Sequence, residues 1–308
     1  MPYRLDLSAD PSDALRAAAR EQLDDAVRRL RDERADDPAK AVHEARKDLK
    51  KARSLLRLAR PGLPGAVYRR ENAALRETGR SLSGARDADV LVETAADLGE
   101  RFAGQLPEAQ FAALSAGLAA AAAEARDNEG DDAAEAAVAT LDAVAVRVGD
   151  WPLERCDHDT LVHGATRAYK RGRAALAAAE KTASVDRLHD LRKRVKDLWY
   201  HGRLLEEAWP RVVKAQSKAA HDLADLLGDD HDLAVLAERV ERGAGRGTGT
   251  PIDDDVVLDL IARRRAELQA EALPIARRLY AEPPNAFRAR LREYVRAAGA
   301  EQRVAEAA

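Results

Sequence analysis

The stretch AVHEARKDLKKARSLLRLA, which begins at Ala41, carries basic side chains and one histidine at helical spacing. The residues that share one side of such a helix are His43, Arg46, Lys47, Lys50, Arg53 and Arg57. At about 100° per residue, apolar Ala45, Leu49 and Leu56 lie on the opposite side. Arginine and lysine donate hydrogen bonds and bring positive charge, which suits phosphate and carboxylate oxygens. The stretch predicts a helix that packs its apolar side into a core and presents an anion-binding stripe.

The same pattern recurs later in the chain, in RLHDLRKRVKDLWYHGRLL from Arg187. A shift of 146 positions aligns the first stripe with a second one, which consists of His189, Arg192, Lys193, Lys196 and Arg203. Farther along, LSGARDADVL and LGDDHDLAVL align at a shift of 145 and pair two further candidates, Arg86 and His231. Two landmarks in one order at nearly one shift predict an internal repeat of two helical halves, 1–150 and 155–300.

Like charges stand four residues apart within both stripes. Arg46 and Lys50 repel each other at this spacing, and Arg192 and Lys196 do the same. An ordinary solvated helix face is the alternative interpretation, but such a face normally pairs opposite charges at this spacing and gains stability from them. We therefore expect an anionic ligand to neutralise the two stripes.

Further basic groups are predicted to extend the same surface. The helix RAYKRGR, ahead of the second stripe, supplies Arg167, Lys170 and Arg171 on one face. A third helix adds Lys214 and Lys218, and the repeat aligns Arg76 with His221. If the two halves pack about a pseudo-twofold axis, the stripes meet across a central groove or pore.

Composition predicts an all-α protein. Aromatic residues make up 4% and charged residues 34% of the 308 residues, while Ala, Leu, Arg and Glu, which favour helices, are abundant. The net charge of -3 hides the basic stripes because much of the intervening chain is acidic. We expect two bundles of the four-helix type, related by the repeat, with a basic groove or pore between them. Gly84 and Gly228 are predicted to end helices, with Asp87 and Asp232 as N-caps of the helices that follow. The alternative is that the two aspartates orient a neighbouring arginine or histidine.

The only cysteine, Cys156, has no partner for an internal disulfide, and no pattern of metal ligands surrounds it in the sequence. No run approaches the roughly 20 apolar residues of a membrane-spanning helix, and the first residues lack the pattern of a signal peptide. We therefore expect a cytoplasmic protein that has no membrane partner and needs neither a cofactor nor a metal.

The duplicated His-x-x-Arg-Lys-x-x-Lys helix, RAYKRGR and the LG-x-x-His-Asp turn together resemble the CHAD domain, the conserved histidine α-helical domain. The resemblance covers residues from about 11 to 298. It implies two four-helix bundles with pseudo-twofold symmetry, and basic residues along a central surface or channel that binds inorganic polyphosphate. It also implies a binding and targeting role at polyphosphate granules or with polyphosphate enzymes, without catalysis by the domain. The resemblance implies a binding role for thirteen positions in the two stripes and in RAYKRGR, namely His43, Arg46, Lys47, Lys50, Arg57, Arg167, Lys170, Arg171, His189, Arg192, Lys193, Lys196 and Arg203.

Two other functions stay open at the level of sequence. A nucleic-acid-binding protein would use similar stripes, but it usually interleaves aromatic rings for stacking, and only Trp199 and Tyr200 lie near a stripe. A metal-dependent phosphohydrolase would use His-Asp pairs such as those at His221 and His231. The repeat aligns these two histidines with arginines, which do not ligate metals. No P-loop, nucleophile elbow or dinucleotide motif occurs. Together with the basic stripes, the resemblance makes a polyphosphate-binding protein, rather than an enzyme, our leading expectation.

Overall fold

Helices account for nearly all of the regular structure in this protein. The computed structural model describes residues 3–105, 107–127, 131–244 and 252–306, and these residues form eleven α-helices, short 3₁₀ and π-helical turns and no strand. The all-α class predicted from composition is confirmed. In chain order the α-helices are α1 (Pro11–Arg28), α2 (Pro38–Ala59), α3 (Gly65–Ser81), α4 (Gly84–Arg101), α5 (Glu108–Asp127), α6 (Asp131–Gly149), α7 (His158–Lys181), α8 (Val185–Leu204), α9 (Pro210–Glu241), α10 (Asp254–Leu279) and α11 (Pro284–Glu306).

Acidic side chains fix where several helices begin. The Asp10 carboxylate accepts hydrogen bonds from two backbone N–H groups in the first turn of α1, and Asp37 accepts one at the start of α2. A capping box formed by Asp157 and Thr160 opens α7. Each cap satisfies backbone donors that have no partner within the helix, and a cap of this kind stabilises a helix by about 1 kcal/mol. The register of α2, which carries the first basic stripe, is therefore set by its own N-terminus.

The helices pack in three groups, and the long helix α9 belongs to both the second and the third. In the first group α1 contacts α2 and α6, and α3 contacts the same two helices. In the second group α4 contacts α5, α9 and α10. In the third group α8 contacts α7 and α9, and α11 contacts α7. Contacts of α2 with α7 and α8 join the first group to the third. The internal repeat and the division of the chain near residue 150 stay predictions.

Two hydrophobic cores hold these helices together. The larger core includes Leu55 and Leu56 of α2 and Val195 of α8, and it extends from the N-terminal segment to α11. The smaller core joins α4, α9 and α10 through residues such as Leu98 and Leu236. Burying an aliphatic side chain of this size stabilises the fold by about 1.5–3 kcal/mol, so the helices of both basic stripes are anchored in one body. Among the described helices, none is both long and apolar enough to cross a membrane.

The prediction that a helix ends at Gly228 is wrong, because α9 continues without a break to Glu241. Glycine inside a helix is about 1 kcal/mol less favourable than alanine. Here the missing side chain leaves room for a neighbour, since a Cβ atom at Gly228 would lie 3.2 Å from Nη2 of Arg192 on α8. The glycine therefore serves the packing of an arginine rather than the end of a helix.

The predicted N-caps at Asp87 and Asp232 are also wrong. Asp232 lies inside α9, where the backbone donors are already used within the helix. In the first half of the chain, α3 ends at Ser81 and α4 begins at Gly84, so that Asp87 lies in the first turn of α4. An acidic residue in this turn is still favourable because the N-terminal end of a helix carries partial positive charge.

The C-terminal part of α2 contacts both α7 and α8 at short range. A Cβ atom at Gly164 of α7 would overlap the carbonyl oxygen of Leu58 on α2. On the α8 side, the ring nitrogen Nε2 of buried His201 lies 3.2 Å from the carbonyl oxygen of Ser54. These two contacts fix the position of α2 against the second half of the chain.

Replacing Gly164 with alanine is expected to force α7 away from α2, because the new methyl group meets backbone that has no room to move. We predict that Gly164→Ala lowers the free energy of unfolding by about 3 kcal/mol, measured by chemical denaturation. The matched control is Gly84→Ala, where no other atom lies within 4 Å of the added Cβ. The control should be neutral or slightly stabilising, and an equal loss in both variants would contradict the close contact.

Acid should destabilise the protein through His201. Burial lowers the pKa of His201 to about 4, below its ordinary value of 6.5. Between pH 6.5 and 4, this histidine is therefore protonated in the unfolded chain but not in the folded chain. Stability is lost as the pH falls through this range. In His201→Gln, which keeps a donor for Ser54, we predict a shallower loss of unfolding free energy, by up to about 1.4 kcal/mol per pH unit. Parallel pH profiles for the two proteins would refute this assignment.

Candidate functional site

A cavity of about 860 Å³ opens between α2, α4, α8 and α9. Histidine, aromatic and aliphatic side chains contribute to its wall, but charged groups dominate, with seven cations and four carboxylates. The cations are Arg46, Lys47, Lys50, Lys51, Arg192, Lys196 and Arg203, and the carboxylates are Glu44, Asp87, Asp225 and Asp232. The excess of positive charge suits an anionic ligand.

The two stripes reach this cavity because their helices bury the opposite sides. On α2, Ala45 and Leu49 are buried in the larger core, and on α8 Leu191 and Val195 are buried in the same core. A helix repeats every 3.6 residues, so burial of these positions turns the basic side chains away from the core. The cavity brings together eight of the residues predicted from the sequence, namely His43, Arg46, Lys47, Lys50, Arg192, Lys196, Arg203 and His231.

Four cations of the cavity have no carboxylate within ion-pair distance among the described residues. They are Lys50, Arg192, Lys196 and Arg203. Desolvation, helped by Arg46 and Arg192, lowers the pKa of Lys50 to about 8. Desolvation, Arg192 and Lys50 lower the pKa of Lys196 to about 8 as well. Each lysine thus feels the positive charge of the other helix, even though Lys50 is open to solvent in the cavity.

Two other cations of the cavity are already neutralised by acidic neighbours. Both terminal nitrogens of Arg46 lie 3.1 Å from Oδ1 of Asp87, and Nη1 also donates to the carbonyl oxygen of Ser83. Lys47 donates to Glu44 over 2.6 Å. The Asp87 side chain is 64% exposed, whereas that of Arg46 is 16% exposed. The Arg46–Asp87 ion pair therefore connects α2 to the start of α4 at the edge of the cavity.

Two histidines stack beside the unpaired cations. The rings of His189 and His231 lie 4.0 Å apart at an angle of 28°, and their Nδ1 atoms are buried without a hydrogen-bond partner among the described residues. Desolvation, His231 and neighbouring cations lower the pKa of His189 to about 4. Desolvation and Arg192 also lower the pKa of His231. Both rings therefore favour the neutral form at pH 7, and of the two only His231 lines the cavity.

Aromatic rings form another part of the wall. Trp199 stacks on Tyr200, with ring centroids 4.5 Å apart, and contacts the ring of His221 at 4.1 Å and a tilt of 32°. The guanidinium carbon of Arg203 lies 5.4 Å from the ring centroid of Tyr3 and 5.9 Å from that of Trp199. These cation–π contacts hold Arg203 in place without neutralising its charge.

The remaining predicted residues lie elsewhere or are not described. The side chain of Arg86 lies outside the described residues. The predicted residues that do not line the cavity are Arg53, Arg57, Arg76, Arg167, Lys170, Arg171, His189, Lys193, Lys214 and Lys218. Of these, Arg76 pairs with Glu77 over 2.6 Å and Lys218 with Asp222 over 2.8 Å, both at the surface.

Three of the arginines outside the cavity gather around one buried carboxylate. Arg57 Nε lies 2.7 Å from Oδ1 of Asp197 on α8. Asp197 also acts on Arg53 and Arg171. Desolvation lowers the pKa values of these two arginines, and the negative charge of Asp197 opposes part of that change. Arg53 Nε also lies 3.4 Å from the amide oxygen of Asn72. This group belongs to the packing of α2 against α8, and its charge is partly compensated within the protein.

Sequence patterns missed several residues of the cavity. Asp225 and Asp232 of α9 face it, and so does Lys51, which also pairs with buried Asp48 over 2.6 Å. Tyr200, which lies near the second stripe in the sequence, lines the cavity as well. The spacing of Asp225 and Asp232, seven residues apart on one helix face, is the only sequence signal that could have indicated their common direction.

The structure also describes the other chemical groups that were considered. Within the described ranges, no three side chains among His, Cys, Asp and Glu come together in a way that could hold a metal ion. Cys156 is buried, and desolvation raises the pKa of its thiol to about 11. A thiol with such a pKa is a poor nucleophile at neutral pH.

Comparison with known proteins identifies the family. The structure of PptA from Streptomyces chartreusis is similar, with a TM-score of 0.67 and 18% sequence identity, covering 89% of this chain and 100% of that chain. The crystal structure of the CHAD domain from the plant Ricinus communis is similar with a TM-score of 0.58 and 20% identity, covering 91% of this chain and 94% of that chain. No curated protein sequence matches the chain. The sequence matches the CHAD domain family over residues 17–241, from α1 to the end of α9, and the chain therefore belongs to the CHAD domain family.

Proposed function

We propose that this protein binds inorganic polyphosphate in the cavity between α2, α4, α8 and α9, and that it does so without catalysing a reaction. The observation that carries the proposal is the group of four cations, Lys50, Arg192, Lys196 and Arg203, which lack an acidic partner among the described residues. The CHAD domain family is associated with polyphosphate, which agrees with such a ligand.

Inorganic polyphosphate matches this arrangement physically. It is a flexible chain with about one negative charge per phosphate unit, and it offers little other than phosphate oxygens for recognition. Arginine binds such oxygens with two parallel hydrogen bonds and lysine with a compact charge. Counterions released from the chain would add to the affinity, so binding should weaken steeply with salt.

The aromatic residues of the cavity support polyphosphate over nucleic acid as the ligand. A protein that binds single-stranded nucleic acid uses open aromatic faces on which bases stack. Trp199 instead stacks on Tyr200 and contacts the tilted ring of His221 within the protein. We therefore expect the protein to show no preference among nucleic acids of different base composition. In this proposal the protein associates with polyphosphate granules or with enzymes of polyphosphate metabolism through the bound chain.

Charge reversal in the cavity is the first test. We predict that Arg46→Glu, Lys50→Glu, Arg192→Glu and Lys196→Glu combined weaken binding of long-chain polyphosphate at least about a hundredfold and flatten its salt dependence. Titration of labelled polyphosphate at several salt concentrations measures both effects, and circular dichroism checks the helices.

The matched control reverses four cations that lie outside the cavity and are exposed, Arg155, Lys181, Arg211 and Arg278. It changes the net charge by the same amount and should retain most of the affinity. Equal weakening in both variants would mean that overall charge, not the cavity, governs binding. Competition by RNA or DNA of equal charge at equal strength would instead favour the nucleic-acid alternative.

Binding should also depend on pH through the two lysines. Because the pKa values of Lys50 and Lys196 are about 8 in the free protein, both lose their charge between pH 7 and 9.5. A polyanion stabilises the protonated forms, so its affinity should fall by at least about tenfold over this range. In Lys50→Arg combined with Lys196→Arg, the charges persist, and the affinity should stay nearly constant. A fall of the same size in this variant would rule out the lysines as its cause.

A further inference from the structure

The two unpaired lysines of the cavity also have the environment of reactive amines. An ammonium group usually resists acylation because its lone pair is occupied by a proton, and neighbouring positive charges favour the neutral form. Lys50 and Lys196 both line the cavity, and neither has a carboxylate within ion-pair distance among the described residues. An 860 Å³ cavity leaves ample room for a small reagent beside them.

Charged groups from all four helices face these lysines. Arg46 and Lys47 of α2 and Arg192 of α8 oppose protonation of Lys50, while Asp87 of α4 favours it. For Lys196, Arg192 and Lys50 oppose protonation, while Asp225 and Asp232 of α9 favour it. The balance shifts both lysines towards the neutral amine, since desolvation and the cations together lower both pKa values to about 8, so that a larger fraction is neutral at pH 7.5 than in an exposed lysine.

We propose that Lys50 and Lys196 are sites of direct acylation by small acyl phosphates, which the cavity binds through the phosphate group. The guanidinium groups of Arg46 and Arg192 stand beside the lysines in the same cavity. Arg192, which has no carboxylate partner among the described residues, would attract the phosphate and stabilise it as a leaving group, whereas Arg46 would first have to exchange its partner Asp87 for the phosphate. The inference concerns regulation of the proposed polyphosphate site and rests on that proposal.

The chemistry balances without a further reactant. The lone pair of the neutral amine attacks the acyl carbon, and a C–N bond forms. The bond between the acyl carbon and the phosphate oxygen breaks, and its electron pair leaves with the phosphate. The proton that the amine loses ends on the released phosphate, which gives hydrogen phosphate and an amide. Each acylation removes one positive charge from the cavity and should therefore weaken polyphosphate binding.

Acetyl phosphate is a direct probe of this inference. The full-length protein is incubated with it at pH 7.5, and mass spectrometry follows the acetylation of every lysine over time. Lys50 and Lys196 should react about tenfold faster than Lys40 and Lys181, which are exposed and outside the cavity. Acetic anhydride, which carries no phosphate, should show a smaller preference for the two cavity lysines. Equal rates at all four lysines with acetyl phosphate would overturn the inference.

Substitution of Arg192 tests the part played by its guanidinium group. Arg192→Gln should slow acetylation of Lys50 and Lys196 several-fold, because it removes a phosphate contact and lets the lysines hold their protons more tightly. Arg211→Gln, which removes an exposed arginine outside the cavity, should leave the rates unchanged. If Arg192→Gln does not fold, protection of the wild-type lysines by inorganic pyrophosphate gives the same information. No protection, or unchanged rates in a folded Arg192→Gln, would contradict the proposal.

A separate binding measurement keeps this inference distinct from the proposed function. Slow acetylation of both lysines in a protein that still binds polyphosphate overturns the inference alone. Fast acetylation in a protein that does not bind polyphosphate overturns the proposed function alone. Fast acetylation together with loss of polyphosphate affinity in the acetylated protein supports both.

Discussion

Repulsion among cations that are fixed on two packed helices is the constraint on which the site depends. Lys50 on α2 and Arg192 and Lys196 on α8 cannot turn away from the cavity, because burial of Leu49, Val195 and their neighbours sets the rotation of both helices. Hydrophobic burial supplies free energy that offsets the cost of keeping these charges close. The folded protein thus stores unfavourable electrostatic energy that an anion can release.

The acidic residues of the cavity divide it into two electrostatic zones. At the edge, Arg46 and Lys47 are held by Asp87 and Glu44, so a ligand must compete for them. Lys50 of α2 and Arg192 and Lys196 of α8 have no such ion-pair partner among the described residues, although Asp225 and Asp232 of α9 act on Lys196 at longer range. An anion in the cavity therefore meets one group of cations that is already paired and another that is not.

Local patterns predicted the parts of the structure that depend on neighbours in sequence. The helical period placed the basic residues and the apolar residues of α2 and α8 on opposite sides, and the cavity uses several of the residues so identified. Long-range pairing was beyond such patterns, because Arg57 is matched to Asp197, a residue 140 positions away that lies on another helix. Gly228 shows the same limit: the close approach of Arg192, a residue of another helix, is a reason for a glycine inside α9 that no local pattern contains. The cavity carboxylates of α9 were not predicted for a similar reason. Tertiary packing, not local sequence, decides which face of a solvent-accessible helix meets a neighbour.

The unbroken α9 has a mechanical consequence. Its 32 residues span about 48 Å at 1.5 Å per residue, and it belongs to both hydrophobic cores. Because one continuous helix is buried in both cores, it ties α8 to α4 and α10 along one wall of the cavity. The two cores therefore cannot separate along this wall without bending or breaking that helix.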